Sequence, residues 1–168
     1  MQLDVGTVVV YSPHGVGKIT ARETRVVLGV KQEVVVIELS DGLSAMLTLD
    51  RAEAQLRPLI TEAGLRKVRA ALREESVLSD EIWSKRVKDV QEKLRRGDPE
   101  ELAAIVRDGV LRDRSLDSSN KSRLSVSERA LFVKARELLA DEIRLARGLD
   151  EAAASAWIDE QLAPLSGG

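Results

Sequence analysis

One change of hydrophobic period governs what this chain can become. As far as Arg57-Pro58 the apolar residues come in short, β-branched runs that read with a period of two; beyond it they recur every three or four residues, the period of a helix. Two differently built parts follow, an N-terminal β domain over residues 1–57 and a C-terminal helical domain over residues 58–168. A chain of 168 residues holds two small domains, and 43% apolar residues supply each with a core.

In the first part Val8-Val9-Val10-Tyr11 leads into the turn Ser12-Pro13-His14-Gly15 and then Val16 to Ala21, the pattern of a β-hairpin. Val34 to Ile37 forms a further strand, Asp41-Gly42 is a turn that tolerates positive φ, and Ala45 to Leu49 returns. Four or five short strands in about fifty residues predict a small, strongly bent barrel.

The second part reads as about five helices. Thr61 caps a first that carries Leu65, Val68 and Leu72; Ser79 or Asp80 caps a second running to Arg96, which Gly97-Asp98-Pro99 stops. Asp98 caps a third, with Pro99 at its first position and Leu102, Ile105 and Val106 inward. Ser125 or Ser127 opens a fourth through Leu131, Ala135, Leu138, Leu139, Ile143 and Leu145, ending at Gly148; a short fifth covers Asp150 to Leu162. Arg114 to Arg123 is polar and serine-rich and predicts a loop with a protease-sensitive tip, and the tail from Pro164 predicts a frayed end.

Composition narrows the function. With one His, no Cys and 2% aromatics, the usual bases, nucleophiles and metal ligands are scarce, so no cofactor, no metal and no enzymatic activity are expected. The absence of cysteine fits a reducing cytoplasm, no apolar run is long enough to span a bilayer, and Met1-Gln2-Leu3-Asp4 does not read as a signal peptide. No sustained heptad pattern calls for a dimer, so a monomer is expected. Net charge is only −2, so any contact with nucleic acid has to come from a local basic cluster.

Gly15-Val16-Gly17-Lys18 superficially resembles a phosphate-binding loop, but Ser12 stands where the first glycine of that motif belongs and Ile19 where its Ser or Thr belongs. The segment joins two strands and offers no helix N-terminus, so it reads as a hairpin turn with His14 in it. The second helix is more informative. From Trp83 to Arg96 it has six basic residues, Lys85, Arg86, Lys88, Lys93, Arg95 and Arg96, against the acids Asp89 and Glu92. Such cations suit phosphates, and an apolar wedge beside them suits an unstacked step in the minor groove. A competing reading stays open: Trp83, Val87, Val90 and Leu94 share a helical stripe, which would make Trp83 core, and Lys93, Arg95 and Arg96 would then merely complement the helix dipole. Trp157 has the same core reading, with no cation near it in sequence.

The opening Asp4-Val-Gly-Thr-Val-Val-Val-Tyr-Ser-Pro-His-Gly-Val-Gly-Lys-Ile19, with Glu23-Thr24-Arg25, resembles CarD proteins and the related polymerase-interacting module of transcription-repair coupling factors. The likeness continues through Ile82 to Lys88, Leu94 to Asp98, Ala104 to Asp108, Leu124 to Arg129 and Ala135 to Ile143, and so spans nearly the whole chain. It implies a transcription regulator with an α+β, two-domain fold: a Tudor-like barrel that docks on the β subunit of bacterial RNA polymerase, and a helical domain on promoter DNA at the upstream edge of the bubble, near the −10 element. By resemblance Trp83 is a minor-groove wedge, Lys85 and Lys88 touch the DNA backbone with Arg86 beside them, and Arg25 contacts polymerase. A second basic polymerase contact of the family falls where this chain has Leu47, which implies docking that is weaker, more apolar, or shifted to Arg22, Lys31 or Arg51.

Two other functions compete. A Tudor-like scaffold that binds another protein would bury Trp83 and leave DNA alone, and a carboxylate-only hydrolase would need a concave acidic pocket.

Overall fold

The computed structural model describes residues 1–12, 14–75, 82–118 and 124–166, with the side chains of 115–118 and 165–166 set aside. Within it the chain forms two compact units, residues 1–59 and 60–168.

The first unit is an antiparallel sheet of β1 (Val8–Tyr11), β2 (Gly15–Val27), β3 (Val30–Leu39), β4 (Ser44–Thr48) and β5 (Leu56–Pro58), in the order β4-β3-β2-β1-β5. Tyr11 pairs with Gly15 across the β1–β2 turn, and Val9, Ile19, Val35, Ile37 and Leu47 meet in the core. Between Ile19 and Ala21 the register of β2 on β3 slips by a bulge at Thr20, which bends the long hairpin and sharpens its twist. A short helix that periodicity did not suggest, α1 (Leu49–Gln55), links β4 to β5 and buries Ala52.

Both hairpin strands run further than their apolar pattern. Beyond the bulge, Arg22 to Val27 pairs with Val30 to Val35, yet most of these side chains are exposed or half-buried, so alternation fades where the ladder continues. The hairpin turns at Leu28-Gly29, where both residues have positive φ, +50° and +78°. Leucine is strained in that region, and Leu28 is 98% exposed, so it gains no burial in return. Leu28→Gly is expected to raise the melting temperature of this unit by several degrees, since relief of about 1 kcal/mol shifts a small domain by roughly 4–8 °C; a thermal scan by circular dichroism checks it.

The second unit contains α2 (Glu62–Arg73), α3 (Trp83–Arg96), α4 (Pro99–Ser118), α5 (Val126–Arg147) and α6 (Glu151–Ser166). Capping chemistry marks their ends. Thr61 Oγ1 accepts from Gly64 N, Asp98 Oδ1 from Glu100 N and Glu101 N, Ser125 Oγ from Glu128 N, and Asp150 Oδ1 from Ala153 N. Gly97 and Gly148 close α3 and α5 in the left-handed conformation. Leu65, Val68 and Leu72 join Leu102, Ile105, Val106, Leu139, Ile143 and Ile158 in one core.

Two expectations need correction. Arg114 to Ser118 is helical, the end of α4, because that stretch contains no Gly or Pro to stop a helix; the rest of the expected loop, and the caps Ser79 and Asp80, lie outside the described residues. The last helix also continues past Pro164 to Ser166, where the tail was expected to fray.

Candidate functional site

The basic segment forms α3, with Trp83 as its first residue. Ile82 occupies the N-cap with extended backbone and no side-chain cap, and its carbonyl accepts from the amides of Lys85 and Arg86. No acid stands in the first turn, so the positive end of the helix dipole adds to the neighbouring cations there. Of the apolar stripe, Leu94 is buried and Val90 packs against the core, whereas Trp83 is 49% exposed. The stripe reading therefore holds for the C-terminal half of the helix and fails at its start.

The cations divide by position. Lys85 and Lys88 are exposed. Arg95 bonds Glu92 and Arg96 bonds Glu101, pairs that raise both guanidinium pKa values and hold the Glu92 carboxyl below its usual range, in each case chiefly through the hydrogen bond itself. Arg86 turns inward: its Nε donates to Glu128 Oε1 at 2.8 Å, and Glu128 is only 4% exposed. Arg86 also lines a cleft of about 230 Å³ whose charged lining is mixed, with Lys93 and Arg112 beside Asp89 and Asp108. Glu128 was not singled out by sequence reasoning; Ser125-x-x-Glu128 has the form of a capping box, which marks its place in the first turn of α5 without naming Arg86 as its partner.

In the β unit, Arg25 lies on β2 opposite Gln32, half-exposed, with its Nε donating to Glu23 Oε2 at 2.7 Å. Arg22 reaches the carbonyl of Leu3 and pairs with Glu33, and the hydrogen bond to Glu33 raises the Arg22 pKa and lowers that of Glu33. The placement of Leu47 as a docking residue is corrected. It is 6% exposed and opposite Val35 in the core, so it offers a partner almost no surface. Side chains alternate along a strand, and the exposed apolar residue of β4 is its neighbour Met46. Val26, Leu28 and Val30 add an exposed apolar hairpin tip next to Arg25 and Lys31. Gly15-Val16-Gly17-Lys18 is strand, with Gly15 at positive φ, and His14 stacks obliquely on Tyr11 with ring centroids 4.9 Å apart. Trp157, expected in the core, is half-buried and packs against it, and Arg69 of α2 lies over its ring at 5.9 Å, a cation–π contact between residues far apart in sequence.

Among the described residues no helix is long and apolar enough to cross a membrane, and no group of three or more His, Asp or Glu is placed to hold a metal ion.

The chain is thus a small antiparallel module followed by a helical module, with a half-exposed tryptophan just ahead of two exposed lysines. Residues 3–60 match the CarD-like/TRCF RID domain and residues 67–159 match the CarD C-terminal domain, so the chain belongs to the CarD family, whose first domain is Tudor-like and interacts with RNA polymerase. It is also similar to the “Putative transcription factor YdeB” of Bacillus subtilis (strain 168), 26% identical over 151 residues that cover 88% of this chain and 94% of that protein.

Proposed function

We propose that this chain stabilises the open promoter complex by holding the β subunit of RNA polymerase with its first unit and the upstream edge of the promoter bubble with its second. The observation that carries the reading is Trp83, half-exposed in an acid-free first turn with Lys85 and Lys88 exposed beside it. An indole in that setting props open a distorted minor-groove step near the −10 element, while the lysines neutralise adjoining phosphates and so oppose re-annealing. A scaffold with a buried indole finds no support in this geometry.

The basic contribution is small. Two phosphate contacts, from Lys85 and Lys88, give a salt dependence on bare DNA with a slope of only about −2. Affinity for promoters then depends on polymerase as a second anchor that raises the effective concentration of the helical unit. Arg25, half-exposed beside the apolar hairpin tip, is the charged part of that anchor.

The test is open-complex lifetime on a promoter with the matching bacterial polymerase, titrated with protein. Wild type is expected to lengthen it to a plateau, and Arg25→Glu to reach the same plateau only at about tenfold higher protein concentration, since reversal of a peripheral charge weakens docking without touching the wedge. No lengthening by wild type at any concentration would overturn the reading.

A further inference from the structure

The side chains proposed to meet DNA stand at the end of α3 with the least apolar anchorage. Leu94, its buried residue, and Val90, packed on the core, lie in its C-terminal half, and Gly97 closes that end. The first turn has no side-chain cap and carries Ile82, Trp83, Ser84 and Lys85 outward. One turn along, Arg86 ties it to α5 through Glu128 Oε1.

Building on the wedge reading, we propose that Glu128 is a positioning residue for the DNA contact: through Arg86 it fixes the first turn of α3, and with it the direction of Trp83, Lys85 and Lys88, without touching nucleic acid itself. A polar side chain this buried is costly to leave without a partner, and the 2.8 Å bond from Arg86 Nε supplies one. The planar guanidinium fork is directional, so the pair constrains orientation as well as distance. Buried ion pairs of this kind contribute little net stability but can select one geometry over another. Arg86 accordingly serves inside the protein, and its basic neighbours serve outside it.

The sign of one mutational effect separates this from a direct phosphate contact by Arg86. If Arg86 grips DNA, Glu128→Gln releases it and the open complex lives as long or longer. If Glu128 positions the turn, Glu128→Gln shortens the lifetime at saturating protein by about tenfold, the weight of a charge-assisted hydrogen bond, while the concentration needed for half-effect stays put. Arg86→Gln then matches it, the double variant is no worse than either single one, and Arg86→Lys recovers part of the loss. Amide hydrogen exchange of the full-length protein over residues 82–88 is expected to quicken in Glu128→Gln, with exchange in the core of α5 unchanged. A lifetime at or above wild type, or unaltered exchange over 82–88, overturns the proposal. Should Glu128→Gln not fold, Arg86→Lys, which keeps the charge and loses the fork, decides by the same two readouts. Loss of effect in Trp83→Ala with normal lifetime in Glu128→Gln would sink the positioning role and keep the wedge; a Trp83→Ala variant as active as wild type would sink both.

Discussion

Trp83→Ala is expected to return open-complex lifetime nearly to that of polymerase alone, even at saturating protein, while moving the melting temperature by no more than about 3 °C. The two halves of the expectation have one cause. A half-exposed indole gives the fold little, so its removal leaves the core of Leu94, Leu102, Leu139 and Ile143 intact. On DNA the same surface stacks at a disrupted base step, and contacts of that kind contribute about 1–3 kcal/mol, or roughly 5- to 150-fold in lifetime. Trp83→Phe, which keeps an aromatic face of smaller area, should fall between. The sequence itself sets this turn against local stability: Lys85 and Arg86 stand near the positive end of the helix dipole, where cations are disfavoured by about 0.3–1 kcal/mol each. A negatively charged partner reverses that sign. A lifetime in Trp83→Ala equal to that of wild type would show that the indole does no work on DNA.

Local chemistry made much of the helical unit legible. Caps at Thr61, Asp98 and Ser125, stops at Gly97 and Gly148, and the inward faces Leu65-Val68-Leu72 and Leu102-Ile105-Val106 depend on interactions within a turn or two, which is the range over which sequence speaks directly. Errors came where the deciding partner is distant or the usual signal is missing. The Leu28-Gly29 turn lacks the Asn or Asp that normally announces positive φ, and α1 is too short for a period to show. Leu47 was assigned by position in a family pattern, yet a strand's two faces alternate, so a residue at the right place along the chain can point into the core. The buried acid Glu142 accepts from the amide of Ile60, and Arg107 from α4 bonds the Ala71 carbonyl near the end of α2; both look like ordinary surface charges until the helices are brought together. For the candidate site, the exposure of Trp83 and the diversion of Arg86 to Glu128 are likewise products of packing between helices that no periodicity encodes.

The second large effect concerns the segment that superficially resembled a phosphate loop. Gly17 lies in β2 against β3, and a Cβ built there would stand 2.7 Å from Ile37 Cγ2 and 3.1 Å from both the Glu38 carbonyl oxygen and Leu39 Cδ2. Ile37 and Leu39 are themselves core residues, and the Glu38 oxygen is backbone, so none of the three can swing aside as the end of a surface chain would. Gly17→Val should therefore cost about 1–3 kcal/mol by overpacking, despite the good strand propensity of valine. A unit of 59 residues has roughly 3–9 kcal/mol in all, so this is a large fraction of it, equivalent to a fall of about 4–24 °C. The helical core contains none of these atoms, so its helical circular dichroism should persist through the transition that destroys the sheet. Open-complex lifetime in Gly17→Val should then fall toward that of polymerase alone above the new transition temperature, although Trp83, Lys85 and Lys88 are untouched, because a slope of about −2 leaves too little DNA affinity without the polymerase anchor. A phosphate-binding role for Gly15-Val16-Gly17-Lys18 predicts the opposite pattern, loss of nucleotide binding with the sheet unchanged, and isothermal titration with a nucleoside triphosphate beside the melting curve tells the two apart.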